Sequence, residues 1–237
     1  MFGVQVSAGK VRRMKKALVV RGGWDGHQPI QTSDLFIPFL REKGFEVTVS
    51  DTLQSYTDEA LMKSLALIVP CWTMGEISRE QSAGLLGAVK SGVNIAGWHG
   101  GMGDSFRQNT EYQFMVGGQW VAHPGGIVEF EVNIVDHDDP ITADIRDFKM
   151  KSEQYYMHVD PGNEVLASTR FDSAVGGMLW INGCVMPVVW KRAYGKGRVF
   201  YTSLGHVAKD FEVPEARLIM QRGMLWAAGD LGCCGPA

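Results

Sequence analysis

The segment Val93-Asn94-Ile95-Ala96-Gly97-Trp98-His99-Gly100-Gly101 ends a short apolar run in a glycine turn with an imidazole at its apex. In α/β proteins a strand-turn-helix elbow lifts its apex side chain above the sheet, where a Ser or Cys nucleophile usually stands. An imidazole there can hold a metal ion or move protons near neutral pH, but it supplies no thiolate or alkoxide for acyl transfer. His27 and His206 also follow a glycine or turn just after an apolar run. Strand-terminal positions of this kind expose a ring to a pocket, whereas scaffold histidines are normally paired to backbone inside an element. His123, in Trp120-Val121-Ala122-His123-Pro124, and Glu153, in Ser152-Glu153-Gln154-Tyr155-Tyr156, lie on turns that reach the same pocket if they fold over it.

These residues suggest two chemistries. His27, His99, His123 and His206 form a candidate ligand set for a divalent ion, Zn or Mn, able to polarise a carbonyl or activate water. Without an ion, His99, His206 and Glu153 can exchange protons α to a ketone, and these three are the expected catalytic residues. Trp24, Trp72 and Trp98 flank the rim and offer aromatic faces to a sugar ring, with Asp25, Tyr155 and the N–H groups of Gly100 and Gly101 as further substrate contacts. Each has a structural counter-reading: a Trp closing the core, an Asp25 or Asp104 capping a turn, a Glu153 paired with Lys149 or Lys151, a histidine bracing its own turn. His137, among Asp136, Asp138 and Asp139, reads as a solvated turn, and His158 as structural. Gly22-Gly23 lacks the third glycine and later acidic partner of a dinucleotide site, so no nucleotide cofactor is expected. With one well-placed carboxylate, a paired-carboxylate glycosidase is disfavoured.

The elements that must position these groups follow a β-α-β rhythm. Ala17–Val20 is a strand apolar on both faces, followed by a helix from Pro29 to Gly44 in which Pro38 predicts a kink or late start. Phe45–Val49 alternates as a strand, Asp58–Ser64 is a short helix, and Leu65–Val69 is another buried strand. Ser78 with Gln81 forms a capping box for a helix stopped by Gly92. Strands alternating with single helices imply parallel pairing, with ligands at the carboxyl ends of the strands. Gly22–His27, Pro70–Gly75 and His99–Gly103 then share one rim. After Phe114 the rhythm breaks into an antiparallel excursion that includes Ile127–Val135. Val185–Trp190 and Arg198–Thr202 form a hairpin around Ala193–Gly197, and Glu215–Ala228 is a closing helix with Leu218, Leu225 and Trp226 inward.

The chain has 237 residues, 45% of them hydrophobic, enough for one large core. We read residues 1–16 as an N-terminal extension, 17–229 as a single domain and 230–237 as a flexible tail. A formal charge of -3 and a pI near 6.1 argue against nucleic acid or anionic membrane as the partner. Cys71, Cys184, Cys233 and Cys234 show no metal-type spacing, which fits a reducing cytoplasm. No apolar run approaches a membrane span, and Met1–Lys16 lacks the apolar block of a secretory signal. A homo-oligomer is compatible with this size.

Six ordered segments resemble the ThuA-like (trehalose-utilisation) family. They are Gly22–His27, Gly97–Gly101, Val116–Gly118 with His123-Pro124, Glu153–Tyr156, Pro187–Trp190 and Gly197–His206. The resemblance implies an α/β fold of the class I glutamine amidotransferase-like, flavodoxin-like type: a three-layer, mostly parallel sheet with helices on both faces. It also implies a cytoplasmic protein of carbohydrate utilisation acting on a disaccharide or 3-keto-sugar. By similarity to amidotransferases, His99 stands where their nucleophilic Cys would be, which removes glutaminase activity, and His206 where their catalytic His follows a late strand. The rival readings are a non-catalytic sugar-binding or assembly partner of a sugar dehydrogenase and, last, an amidase using Cys71.

Overall fold

Strand β1 (Lys15–Gly23) is buried on both faces because alternate residues feed opposite cores, Ala17 and Val19 one way, Leu18 and Val20 the other. The computed structural model describes residues 14–172 and 175–231. The expected arm up to residue 13 and the tail from residue 232, with Cys233 and Cys234, lie outside the described residues. Lys15 and Lys16 are strand residues, and Lys15 Nζ binds the Ala228 carbonyl at 2.6 Å and Asp230 at 2.9 Å.

Helix α1 (Pro29–Glu42) begins at Pro29, so the late start offered for it does not occur, and the helix continues through Pro38. Pro38 is on the exposed face, where water can take the carbonyl its missing N–H leaves free. Then come β2 (Phe45–Ser50), α2 (Glu59–Ser64) and β3 (Leu67–Thr73). Helix α3 (Arg79–Ser91) opens on both halves of the Ser78/Gln81 capping box, at 3.2 and 3.0 Å. β4 (Asn94–Trp98) leads into the five-residue α4 (His99–Gly103) and then α5 (Thr110–Val116).

The excursion holds β5 (Gly118–Ala122), β6 (Ile127–Ile134), β7 (Phe148–Glu153), β8 (Tyr156–Val159) and β9 (Glu164–Arg170). The chain closes with β10 (Val185–Tyr194), β11 (Gly197–Thr202) and α6 (Pro214–Ala227). Nine strands form one sheet in the order β2-β1-β3-β4-β11-β10-β9-β6-β7, while β5 and β8 pair separately. The pairings from β2 to β11 are parallel, and those from β11 to β7 antiparallel. Helices α1 and α6 cover one face, and α2, α3 and α5 the other.

Two expectations need correction. The β10–β11 turn is two residues, Gly195-Lys196, because Tyr194 pairs directly with Gly197. In α6 the inward residues are Ala216, Ile219, Met220, Gly223, Met224 and Ala227, whereas Leu218 is exposed and Leu225 and Trp226 are half-buried. The small residues let α6 approach closely: a Cβ on Gly223 would stand 2.2 Å from the Phe200 ring. Among the described residues no helix is long and apolar enough to cross a membrane.

Candidate functional site

The carboxyl ends of the parallel strands do share one rim. Trp24 N donates to the Thr73 carbonyl at 3.2 Å and Met74 N to the Asp104 carbonyl at 2.9 Å, tying the loops after β1, β3 and β4 together. His99 has φ +44°, a left-handed conformation that costs a non-glycine residue about 1–2 kcal/mol and holds the ring at the apex of the elbow. Gln28, Met74 and Phe106, on the same loops, also have positive φ. The next residue must be glycine, because a Cβ on Gly100 would lie 2.3 Å from the His27 ring and 3.0 Å from the Tyr155 hydroxyl.

Glu153 enters this rim from the far edge of the sheet. Strand β6 pairs with β9 only through Asn133 and Ile134, yet with β7 from Ile127 to Val132. The β6–β7 ribbon therefore departs from the sheet, and its Ile127–Glu153 end reaches over the histidines. Glu153 Oε2 lies 3.1 Å from His99 Nε2, 3.4 Å from His206 Nδ1 and 3.8 Å from His27 Nε2, while Oε1 lies 3.6 Å from His123 Nε2. One ligand atom each from His27, His99, Glu153 and His206 falls within 4.8 Å of all the others. This differs from the expected four-histidine set: Glu153 takes the place of His123, whose side chain is 38% exposed and touches only the second carboxylate oxygen.

The other nitrogens are held from behind. His99 Nδ1 is 2.7 Å from the Ser203 carbonyl, and His27 Nδ1 is 2.8 Å from Thr73 Oγ1. The His206 backbone N–H donates to Asp210 Oδ2 at 2.9 Å, and that carboxylate also accepts from the Ser152 hydroxyl. Among the described residues the buried His206 Nδ1 makes no hydrogen bond. The Tyr155 ring stacks on His99 at 3.9 Å, and the Tyr201 hydroxyl donates to the His99 carbonyl.

The electrostatics of the cluster are frustrated. Burial pushes the His99 imidazole down to about 4, against the opposing pull of Glu153. His206 is lowered too, chiefly by burial. Burial alone would raise Glu153, but the surrounding imidazoles, His27 and His99 foremost, hold it well below the usual carboxylate range. A carbonyl can only accept, so His99 carries its hydrogen on Nδ1, and a neutral ring then aims its Nε2 lone pair at Glu153. A shared proton or a cation between them removes the conflict.

Other expected contacts fare differently. Trp24 is 47% exposed and meets the His27 ring edge-on at 4.8 Å, with Asp25 exposed on the same turn. Trp72 is half-buried over Gly22 and Gly75. Trp98 is 1% exposed and packs on Phe36 and Phe211, so it belongs to the core and not to the rim. Tyr155, at 2% exposed, supports His99 from behind instead of lining an open surface. Gly100 and Gly101 are buried and make room for His27 and Cys71, so they are not exposed N–H donors. Cys71 is buried beside Thr32 and the Pro29 carbonyl, and burial pushes its thiol up to about 12. His158 is exposed, lining an open groove of about 540 Å³ with Phe114 and Gln119, so it is not the structural histidine expected. The acidic turn beside His137 is satisfied by Lys191, which pairs with Asp139 and with Glu164 at 2.9 Å.

Several neighbours gave no sequence signal. Asp104, read as a cap, is the C-cap residue of α4, and its side chain also binds Arg107 through both oxygens at 2.6 and 2.9 Å. Arg107 lies over the Trp120 ring at 4.4 Å, and that ring is 5.9 Å from His123. A cavity of about 670 Å³ has His206 in its wall, with Ile127, Met150 and Val213.

A family model described as ThuA, trehalose utilisation, matches residues 16–227. No curated protein matches the chain. A ThuA-like protein from Bacteroides uniformis superposes with TM-score 0.75 at 16% identity, covering 95% of each chain. Another from Parabacteroides merdae gives 0.74 at 18%, covering 94% of each. A β-galactosidase from Rahnella sp. R3 shares the fold over 87% of this chain and 31% of its own, with TM-score 0.55 and 15% identity.

Proposed function

The chain belongs to the ThuA, trehalose-utilisation family, and on that premise we propose that its imidazole-carboxylate cluster is the divalent-metal centre of a cytoplasmic enzyme acting on a sugar or keto-sugar. One observation carries the reading: three imidazole nitrogens and one carboxylate oxygen, from four distant parts of the chain, lie within 4.8 Å of one another. The residues fit such an ion. His99 has its Nδ1 engaged by a backbone carbonyl, the arrangement that orients a metal-ligating imidazole, and the buried His206 Nδ1 makes no hydrogen bond among the described residues. Three nitrogens and one oxygen suit Zn or Mn.

A bound ion would supply Lewis acidity toward a carbonyl or a water molecule. The chain's own groups do the rest. Glu153 holds a negative charge among the rings, and His123, partly exposed beside Glu153 Oε1, is placed to carry a proton between the cluster and solvent. Trp24 offers an exposed face at the mouth for a sugar ring. Tyr155 and Gly100 fix where the His99 and His27 rings stand. A Cys-dependent amidase is disfavoured, since the Cys71 thiol is buried and far from ionising at neutral pH.

Metal analysis of the purified protein, combined with turnover of 3-keto-disaccharides, tests this. We expect one divalent ion per chain, its loss in His99→Ala, and loss of turnover in Glu153→Gln. A metal-free protein that turns over keto-sugars would shift the reading to proton exchange by His99, His206 and Glu153. Metal-free protein without turnover would leave the sugar-binding partner of a dehydrogenase.

A further inference from the structure

We propose that Arg107 anchors the substrate through a carboxylate, making the preferred ligand a sugar acid and not a neutral sugar; this rests on the metal-centre reading above.

The Arg107 guanidinium is held on two sides. Its Nε and Nη2 donate to Asp104 at 2.6 and 2.9 Å, and its plane lies over the Trp120 ring at 4.4 Å. Trp120 in turn stands 5.9 Å from the His123 ring and 6.2 Å from Tyr155, which stacks on His99. Two aromatic rings, Trp120 and then Tyr155, thus lie between this cation and His99 of the cluster. Asp104 is buried, with a side chain only 3% exposed, but that of Arg107 is 40% exposed. Among the described residues no acceptor meets its Nη1. Asp104 belongs to the rim loops, its carbonyl accepting from Met74 N at 2.9 Å, so the exposed guanidinium stands on the same rim as the cluster. A pre-oriented guanidinium with a free donor is suited to carboxylate recognition.

The test is calorimetric titration of the zinc-loaded full chain with D-glucuronate and D-gluconate against D-glucose. The acids should bind at least about tenfold tighter than glucose. The double variant Asp104→Asn/Arg107→Gln removes the pair without stranding a buried charge; it should keep stoichiometric zinc and lose that preference. Equal affinity for glucose, no saturable binding of either acid, or an unchanged preference in the double variant overturns the proposal, the last because the carboxylate would then be binding zinc alone. Zinc content is read separately. Protein that takes up no zinc fails the metal reading and this inference together, whereas zinc uptake without acid preference fails this inference only.

Discussion

His99 Nδ1 donates to the Ser203 carbonyl at 2.7 Å, a bond across 104 residues that decides which nitrogen of the apex histidine faces Glu153. It joins the elbow after β4 to the loop after β11, two parallel neighbours in the sheet. With that nitrogen occupied, Nε2 faces Glu153 at 3.1 Å and would be the ligand atom of the proposed centre. His99→Ala should lower zinc affinity by at least about 100-fold, since losing even a supporting partner typically costs 10–100-fold. Competition against a chromogenic chelator reads this directly, and near-wild-type affinity would remove His99 from the ligand set.

Gly100→Ala tests the packing behind the centre. The added Cβ would stand 2.3 Å from the His27 ring, so either the ring or the elbow must move. We expect a destabilisation of about 1–3 kcal/mol from overpacking, together with a tenfold or greater loss of zinc affinity. Chemical denaturation measures the first and chelator competition the second. Loss of stability with unaltered zinc binding would show that the displaced ring is not a ligand.

Acid should destabilise the chelated protein. His99 is held down to about 4 when folded, against an ordinary value of 6.5. Below about pH 6.5 the unfolded chain therefore takes up a proton that the native ring refuses, and stability falls until the folded value is reached. One such group contributes a slope of up to about 1.4 kcal/mol per pH unit. His206 is shifted in the same direction. Glu153, lowered when folded, adds stability above its unfolded value that is lost as pH falls further, so the signs agree. Tm measured in chelator should drop steadily from pH 7 toward pH 4; a rise over that range contradicts the assigned burial of the cluster.

Two tryptophans near the elbow should separate core from site. Trp98→Ala leaves a large hole among Phe36, Phe211 and their neighbours and should cost about 3–5 kcal/mol. Trp24→Ala removes a half-exposed ring and should change stability by less than about 1 kcal/mol while raising KM for a sugar substrate. Equal KM effects from both would argue against Trp24 as the stacking face.

Local periodicity carried much of the fold. The doubly apolar runs of β1 and β3, the Ser78 capping box and the stops at Gly44 and Gly92 are each written in a few adjacent residues; all formed, but β1 runs on through the expected turn to Gly23, and β3 begins at Leu67, not Leu65, and continues through Pro70 to Thr73. Strand ends followed by glycine were also enough to place His27, His99 and His206 on one rim, because parallel strands align their carboxyl ends. Alternation along β4 could have excluded Trp98 from the rim, since it shares a face with Ala96, which packs in the same core as α1 and α6.

What the chain's order of residues does not spell out is which distant segments meet. Glu153 joins the histidines only because β6 loosens from β9 after two pairs and carries β7 over the rim, a long-range register with no local signature. The grouping of Glu153, in place of His123, with His27, His99 and His206, and the Asp104–Arg107–Trp120 stack beside it, follow from that same placement. Side-chain periodicity is a property of neighbours along the backbone, whereas a site of four converging groups is a property of how whole elements pack.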